Sequence, residues 1–141
     1  EEQTAFLADP RLNGITLPAD PAAVHSLRDG AQAGDPFSAY LLALVLLNSS
    51  GPAPDLTGAA GFMAQAARAG IHLAQANLAV MYFEGIGLPQ DYVLARAWAG
   101  LASLGGDPRS LALRDRISGR MTSGQINESQ QIAQNYWTRK K

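Results

Sequence analysis

Two glycines, Gly85 and Gly87, follow an apolar run with Gly-x-Gly spacing, and such pairs can cradle a phosphate. A phosphate loop needs a strand before the glycines and a helix start carrying a lysine or a hydroxyl after them. Here the preceding run has helical spacing, and no lysine occurs before Lys140. We therefore predict that the two glycines form a turn between helices.

Acid–base or metal chemistry would have to come from His25, His72 or Glu84. We expect neither histidine to have a metal-ligating neighbour one helical turn away, so zinc spacing is absent. Glu84 is the only glutamate between Glu2 and Glu128, and a lone carboxylate cannot supply an acid and base pair. We predict no catalytic site, no metal and no cofactor. An enzyme that uses Glu84 or His72 is the last-ranked alternative.

Composition excludes several classes of chemistry. The 141 residues contain no cysteine, which rules out disulfides and thiolate catalysis, and no apolar run is long enough to span a membrane. The net charge is −1, but residues 1–104 hold 4 Arg against 9 Asp and Glu, whereas residues 105–141 hold 7 Lys and Arg against 3. This balance argues against a nucleic-acid partner. The chain begins with Glu1, which indicates a processed form or a fragment.

The chain repeats itself with a period of 36 residues. "AGD" at Ala33 is followed by "AGI" at Ala69 and by "GGD" at Gly105. Self-similarity at such a period is the signature of a solenoid, whose units bury their apolar faces against one another. The pairs that match without a gap are Leu42 and Leu78, Ala43 and Ala79, Asp55 and Asp91, Ala59 and Ala95, Phe62 and Trp98, and Ala66 and Ala102.

Each unit is predicted to be a pair of helices. Asp residues before the helices are expected to act as N-caps, and the glycines after them to end helices in the left-handed conformation. The domains are an N-terminal segment, 1–20, a repeat array, 21–122, and a C-terminal capping helix, 123–141, that opens with a Thr122–Gln125 capping box. Within the array, the clear units are 33–68 and 69–104, and a degenerate unit starts at 105.

These motifs resemble the Sel-1-like repeat, a relative of the tetratricopeptide repeat found in many bacterial proteins. In the third unit Arg114 takes the place of the family's leucine, and in the first Leu46 takes that of its tyrosine. The resemblance implies an all-α, right-handed α/α superhelical solenoid of antiparallel helix pairs. The best match is the second unit, through Gly70, Ala74, Leu78, Tyr82, Gly85, Gly87, Leu88, Asp91, Ala95, Trp98 and Ala102.

By analogy with related solenoids, the first helix of each pair lines a concave groove, where partly exposed aromatic rings suit a peptide. Terminal helices packed over this face are the alternative. A second candidate site is an arginine face for an anionic partner, although a solvated surface is the commoner explanation. The groove residues are Phe37, Tyr40, Leu44, Leu47, Leu73, Ala76, Val80 and Phe83, with Asn77 and Glu84 at the edge. The arginine face is Arg109, Arg116 and Arg120, with Arg114 nearby.

The leading hypothesis is a non-catalytic scaffold or adaptor that binds a protein or peptide partner on its concave surface. The alternative is binding of an anionic glycan or another acidic polymer through the arginine face. The resemblance implies a bacterial protein of the periplasm or cell envelope, with the cytoplasm as the alternative. Partner identity and oligomeric state are left open.

Overall fold

The computed structural model describes residues 17–18, 20–48 and 55–140. In this part of the chain every regular element is an α-helix. Most of the predicted N-terminal segment 1–20 and the 49–54 turn of the first unit lie outside the described residues. The helices are α1 (Pro21–Gln32), α2 (Pro36–Leu47), α3 (Leu56–Arg68), α4 (His72–Glu84), α5 (Tyr92–Ser103), α6 (Pro108–Ser118) and α7 (Ser123–Lys140).

The helices stack in chain order. Each helix from α1 to α5 packs against the next, and α4 also reaches α6. The last helix, α7, returns to pack along α5. The result is an all-α helical repeat solenoid with a capping helix, as predicted, because each helix buries its apolar side mainly against its neighbours.

The predicted helix caps are present. The Asp35 side chain accepts a hydrogen bond from the Phe37 amide at 3.3 Å, and Asp91 accepts one from the Leu94 amide at 3.0 Å. The capping box of α7 is formed in both directions, because Thr122 and Gln125 each donate a backbone N–H to the other's side chain. The other aspartate caps are Asp20, Asp55 and Asp107. The glycines at positive φ that follow helix ends are the predicted Gly34, Gly70 and Gly106, together with Gly85 after α4.

The core consists of two clusters that meet at α4. One cluster joins α2, α3 and α4, where Leu42 and Leu78 are buried, and the other joins α4, α5 and α6. Alanines in register let the helix axes approach closely, so that the larger side chains fill the gaps between them. Because α4 contributes to both clusters, it is covered on most of its circumference.

Side-chain hydrogen bonds to backbone carbonyls connect one unit to the next. Gln65 donates to the Ala31 carbonyl at 2.8 Å, and the buried Gln75 donates to the Ala67 carbonyl at 3.1 Å. Tyr136 of α7 donates its hydroxyl to the carbonyls of Ala67 and Arg68. The Ala31 carbonyl ends α1 and those of Ala67 and Arg68 end α3, where a helix leaves carbonyls without an i+4 amide. Ala31 and Ala67 also accept the amides of Gly34 and Gly70 at 3.0 Å, so the side-chain bonds add a second partner at these helix ends.

Candidate functional site

The two predicted sites are carried by the same set of helices. The first helices of successive units, α2, α4 and α6, carry all of their residues except Arg120, which lies two residues after the end of α6. We call the side of these helices that bears the predicted groove residues and the three arginines the first-helix face. A shift of 36 residues also relates the sites to each other. The equivalent pairs are Leu73 and Arg109, Val80 and Arg116, and Glu84 and Arg120.

Exposure divides the predicted groove residues into two groups. Phe37 is 66% exposed, and Leu47, Leu73 and Glu84 are half-buried. The expectation of partly exposed aromatic rings is wrong for Tyr40 and Phe83, which are 3% and 2% exposed. The role of the groove in binding stays a prediction. The buried members of the predicted set are Tyr40, Leu44, Ala76, Asn77, Val80 and Phe83.

The burial of Phe83 follows from the position of α6. Leu113 and Ile117 of α6 pack in the same cluster as Phe83, and the Tyr92 ring lies 5.5 Å from the Phe83 ring. This part of α4 is therefore covered by α6 of the third unit, whereas the terminal helix α7 packs on α5.

Two of the predicted anion-binding arginines lie over the Phe83 ring. The guanidinium carbons of Arg116 and Arg120 are 5.6 Å and 5.4 Å from the ring centroid. A cation at this distance is attracted by the negative face of the ring. Arg116 is half-buried and Arg120 is exposed, so both can be reached from solvent while the ring fixes their positions.

Arg109 lies elsewhere on the face, in an ion pair. Its Nη2 is 2.7 Å from Oδ2 of Asp107, the N-cap of α6. The hydrogen bond from Arg109 lowers the pKa of Asp107 below its usual value, although burial opposes this. The three arginines therefore do not form one cluster, because Arg109 is held at the start of α6 and the other two at its end.

A buried polar pair lies beneath the first-helix face. The Tyr40 hydroxyl of α2 and Oδ1 of Asn77 of α4 lie near each other, but neither has a hydrogen-bond partner of normal geometry among the described residues. Burial raises the pKa of Tyr40 to about 12, while the positive charge of Arg109 acts in the opposite direction. Asn77 uses its amide N–H to donate to the Leu73 carbonyl at 2.9 Å.

Replacing Tyr40 with phenylalanine is expected to leave the free energy of unfolding unchanged or to raise it by up to about 1 kcal/mol, because the buried hydroxyl gains no hydrogen bond for its lost hydration. The control is Tyr136→Phe, which should cost about 1 kcal/mol because that hydroxyl donates to the end of α3. Urea denaturation of both variants measures the difference. A Tyr40→Phe loss as large as that of Tyr136→Phe would contradict the unpaired state of the hydroxyl.

The residues considered for catalysis are not brought together. His72 begins α4 and Glu84 ends it, so about 18 Å of helix axis separates them at 1.5 Å per residue. The expectation that no histidine has a carboxylate one turn away is wrong for His25, whose Nε2 is 3.5 Å from Oδ2 of Asp29. Both side chains are exposed, and the described residues contain no group of three or more potential ligands.

Sequence reasoning missed a cavity between α5 and α7. Its volume is about 590 Å³, and it is lined by two arginines, Arg96 and Arg114. Arg96 donates to the hydroxyls of Ser118 and Ser129 at 2.7 Å and 3.1 Å. The other lining residues are Gly100, Leu101, Leu104, Ser129, Gln130, Ala133, Gln134 and Trp137.

The fold and the first-helix face define an α/α repeat solenoid, and the comparisons identify its family. The Sel1 repeat model matches residues 36–71 and 72–107, just over half of the chain. The chain therefore belongs to the Sel1 repeat family. The period is the predicted 36 residues, and the matched units begin three residues later than the predicted 33–68 and 69–104.

A solved structure shares the fold. The crystal structure of c5321, described as a protective antigen present in uropathogenic Escherichia coli strains that displays an SLR fold, is 30% identical with a TM-score of 0.76. The match covers 81% of this chain but only a quarter of that protein's length. No curated protein matches the chain. Repeats of this family are protein-interaction scaffolds and are generally not enzymes.

In the described part of the chain, no helix combines the length and the apolar character that crossing a bilayer requires.

Proposed function

We propose that the protein is a non-catalytic interaction module that binds a protein or peptide partner on its first-helix face. The observation that carries this proposal is Phe37, an aromatic ring that is 66% exposed at a predicted groove position. Aromatic residues dominate binding energy at interfaces, and their exposure in a free protein costs hydration free energy that a partner can recover. The family's general role in protein interactions supports the same proposal.

The chemistry of the face also indicates what such a partner carries. Phe37 and the half-buried Leu47 offer apolar contacts on α2, whereas Arg116 and Arg120 offer positive charge at the end of α6. An extended or helical segment with an apolar anchor and an acidic residue satisfies both. The buried groove residues then support the face from below and do not touch the partner.

The test compares two exposed apolar residues. Phe37→Ser is expected to abolish recovery of the partner, because removing a central anchor costs at least about 2 kcal/mol of binding. Leu111→Ser is the control, since Leu111 is 44% exposed on α6 but lies outside the predicted groove set. Affinity purification from the source cells, followed by binding of the purified partner, is the measurement. Equal recovery with both variants would overturn the assignment.

The same purification addresses the cellular setting. We place the partner in a bacterial envelope assembly, on the basis of the family resemblance and of the bacterial origin of the similar crystal structure. Recovery of the partner from the envelope fraction supports this placement, and recovery from the cytosol alone contradicts it.

The anionic-polymer alternative is less well supported, because Arg109 is bound to Asp107 at a distance from the other two arginines.

A further inference from the structure

The cavity between α5 and α7 is built from residues that break the repeat. Arg96 and Arg114 are the 36-residue equivalents of Ala60 and Leu78, which are both buried at 1% exposure one unit earlier. Two apolar core positions have therefore become cationic where α7 ends the array, and a volume of about 590 Å³ lies between them and α7. This volume lies within the usual range of ligand sites.

Arg96 is held in place by hydrogen bonds to two neutral hydroxyl groups. It donates to the Ser118 and Ser129 hydroxyls, and among the described residues no carboxylate pairs with it. Ser129 is fully buried and donates in turn to the Ile126 carbonyl, while Ser118 donates to the Arg114 carbonyl. Two of the five N–H donors of a guanidinium are used in this way, and the others remain for a ligand.

The second arginine adds positive charge to the same wall. Arg114 contacts Asp115 at 3.1 Å, but Asp115 does not line the cavity and its side chain is 66% exposed, so this pair is weak. Burial, followed by the like charge of Arg114, lowers the pKa of Arg96, while the negative charge of Asp115 acts in the opposite direction. Arginine stays protonated at neutral pH, so a bound anion would relieve this repulsion.

The rest of the lining is apolar or amide. Leu104 is 59% exposed and Trp137 is 44% exposed, and both also line a smaller adjoining cavity of about 190 Å³ that contains neither arginine. The site thus pairs a cationic compartment with an apolar edge that leads to a second compartment without arginine. Exposed apolar side chains grouped in this way mark a binding surface.

We propose that this cavity binds a peptide segment of a partner protein in which a carboxylate lies next to a bulky apolar side chain. The carboxylate occupies the compartment of Arg96 and Arg114 and accepts charge-assisted hydrogen bonds. The apolar side chain packs against Leu104 and Trp137. The carboxylate is either the C-terminus of the partner or an acidic side chain, and the site lies away from the first-helix face.

Three probe peptides distinguish these sources in an NMR titration that follows the Trp137 indole N–H and the Arg96 Nε–H. They are acetyl-Gly-Ser-Gly-Leu-Phe with a free carboxylate, the same peptide as its C-terminal amide, and acetyl-Gly-Ser-Glu-Leu-Phe amide. At least one carboxylate peptide is expected to bind with a Kd below about 1 mM, and the neutral amide about tenfold more weakly or worse. The carboxylate peptide that binds identifies the source. No binding, or equal binding of the neutral peptide, overturns the proposal.

A pair of glycine variants separates loss of binding from loss of folding. A Cβ at Gly100 would meet nothing within 4 Å and lies in the cavity wall, so Gly100→Leu fills the site while keeping the helix. Both Gly100→Leu and Arg96→Gln should abolish binding of the carboxylate peptides. Gly61→Leu, at an equally open helical position outside the cavity, should bind like the parent chain. Binding that survives Gly100→Leu overturns the proposal.

The remaining outcomes concern other occupants and the other proposed site. A dimer in sedimentation analysis that Gly100→Leu dissociates overturns the proposal and assigns the cavity to a second copy of this chain. Phe37→Ser should not change binding of the probe peptides. An experiment that contradicts binding at the first-helix face can therefore be distinguished from one that contradicts peptide binding in this cavity.

Discussion

Replacing Gly87 with alanine is expected to destabilise the protein by about 3 kcal/mol or more, because two penalties fall on the same residue. Its φ of 71° lies in the left-handed region, which costs a residue with a side chain about 1–2 kcal/mol. A Cβ at this position would also overlap the backbone carbonyl of Leu56, whose carbon would be 2.7 Å away, and neither group can move without shifting α3.

Gly85 provides a matched control in the same turn. Its φ is also 71°, but a Cβ there would meet nothing closer than Gln90 Cβ at 3.5 Å. Gly85→Ala should therefore cost only the conformational term, about 1–2 kcal/mol. Urea denaturation followed by circular dichroism measures both variants. Equal losses would mean that the contact with Leu56 is relieved by a small movement of the turn.

The consequence for the Gly-x-Gly motif is structural. Gly87 lets the turn between α4 and α5 lie directly on the start of α3, so the motif joins the second unit to the first. The prediction of a turn between two helices is confirmed, since α4 ends at Glu84 and α5 begins at Tyr92.

Replacing Phe83 with alanine is expected to lower the free energy of unfolding by about 3–4 kcal/mol. The ring is 2% exposed and packs with Tyr92, Leu113 and Ile117, so its removal leaves a cavity between α4 and α6. It also removes the surface on which Arg116 and Arg120 lie, which adds a smaller loss.

The control is the same substitution at Phe37. Because that ring is 66% exposed, Phe37→Ala should change stability by less than about 0.5 kcal/mol. Thermal unfolding separates the two variants, with a Tm about 10 °C lower for Phe83→Ala. Similar Tm values would show that Phe83 is not a core residue. The two variants must therefore be interpreted differently in a binding assay. A loss of partner binding in Phe83→Ala could follow from lost stability, whereas a loss in Phe37→Ala would indicate a direct contact between Phe37 and the partner.

The sequence was sufficient for the fold because the signals that carry it are local. Asp-Pro pairs at Asp35 and Asp107 start helices through bonds to amides two residues away, and the 36-residue period shows which helices are equivalent. These features depend on neighbouring residues along the chain, so they can be read without knowing how the helices pack.

The candidate site was predicted less well because exposure depends on packing between distant segments. The apolar spacing of Val80 and Phe83 fits a groove, but α4 is apolar around most of its circumference, which is the pattern of a buried helix. This signal was present in the sequence. The cavity of Arg96 and Arg114 was harder to predict, because the packing of α6 on α5 brings the two arginines together and the return of α7 onto α5 supplies the opposite wall.

The bond from Tyr136 to the end of α3 changes how the array should come apart. In a simple solenoid each unit interacts only with the next, and the terminal helix frays first at little cost. Here α7 reaches back 68 and 69 residues along the chain to the carbonyls of Arg68 and Ala67, and its Tyr136 ring also contacts Trp98 at 5.1 Å. Detaching α7 therefore uncovers α5 and the end of α3 together, so we expect α7 to open at a higher cost than the end helix of a simple solenoid.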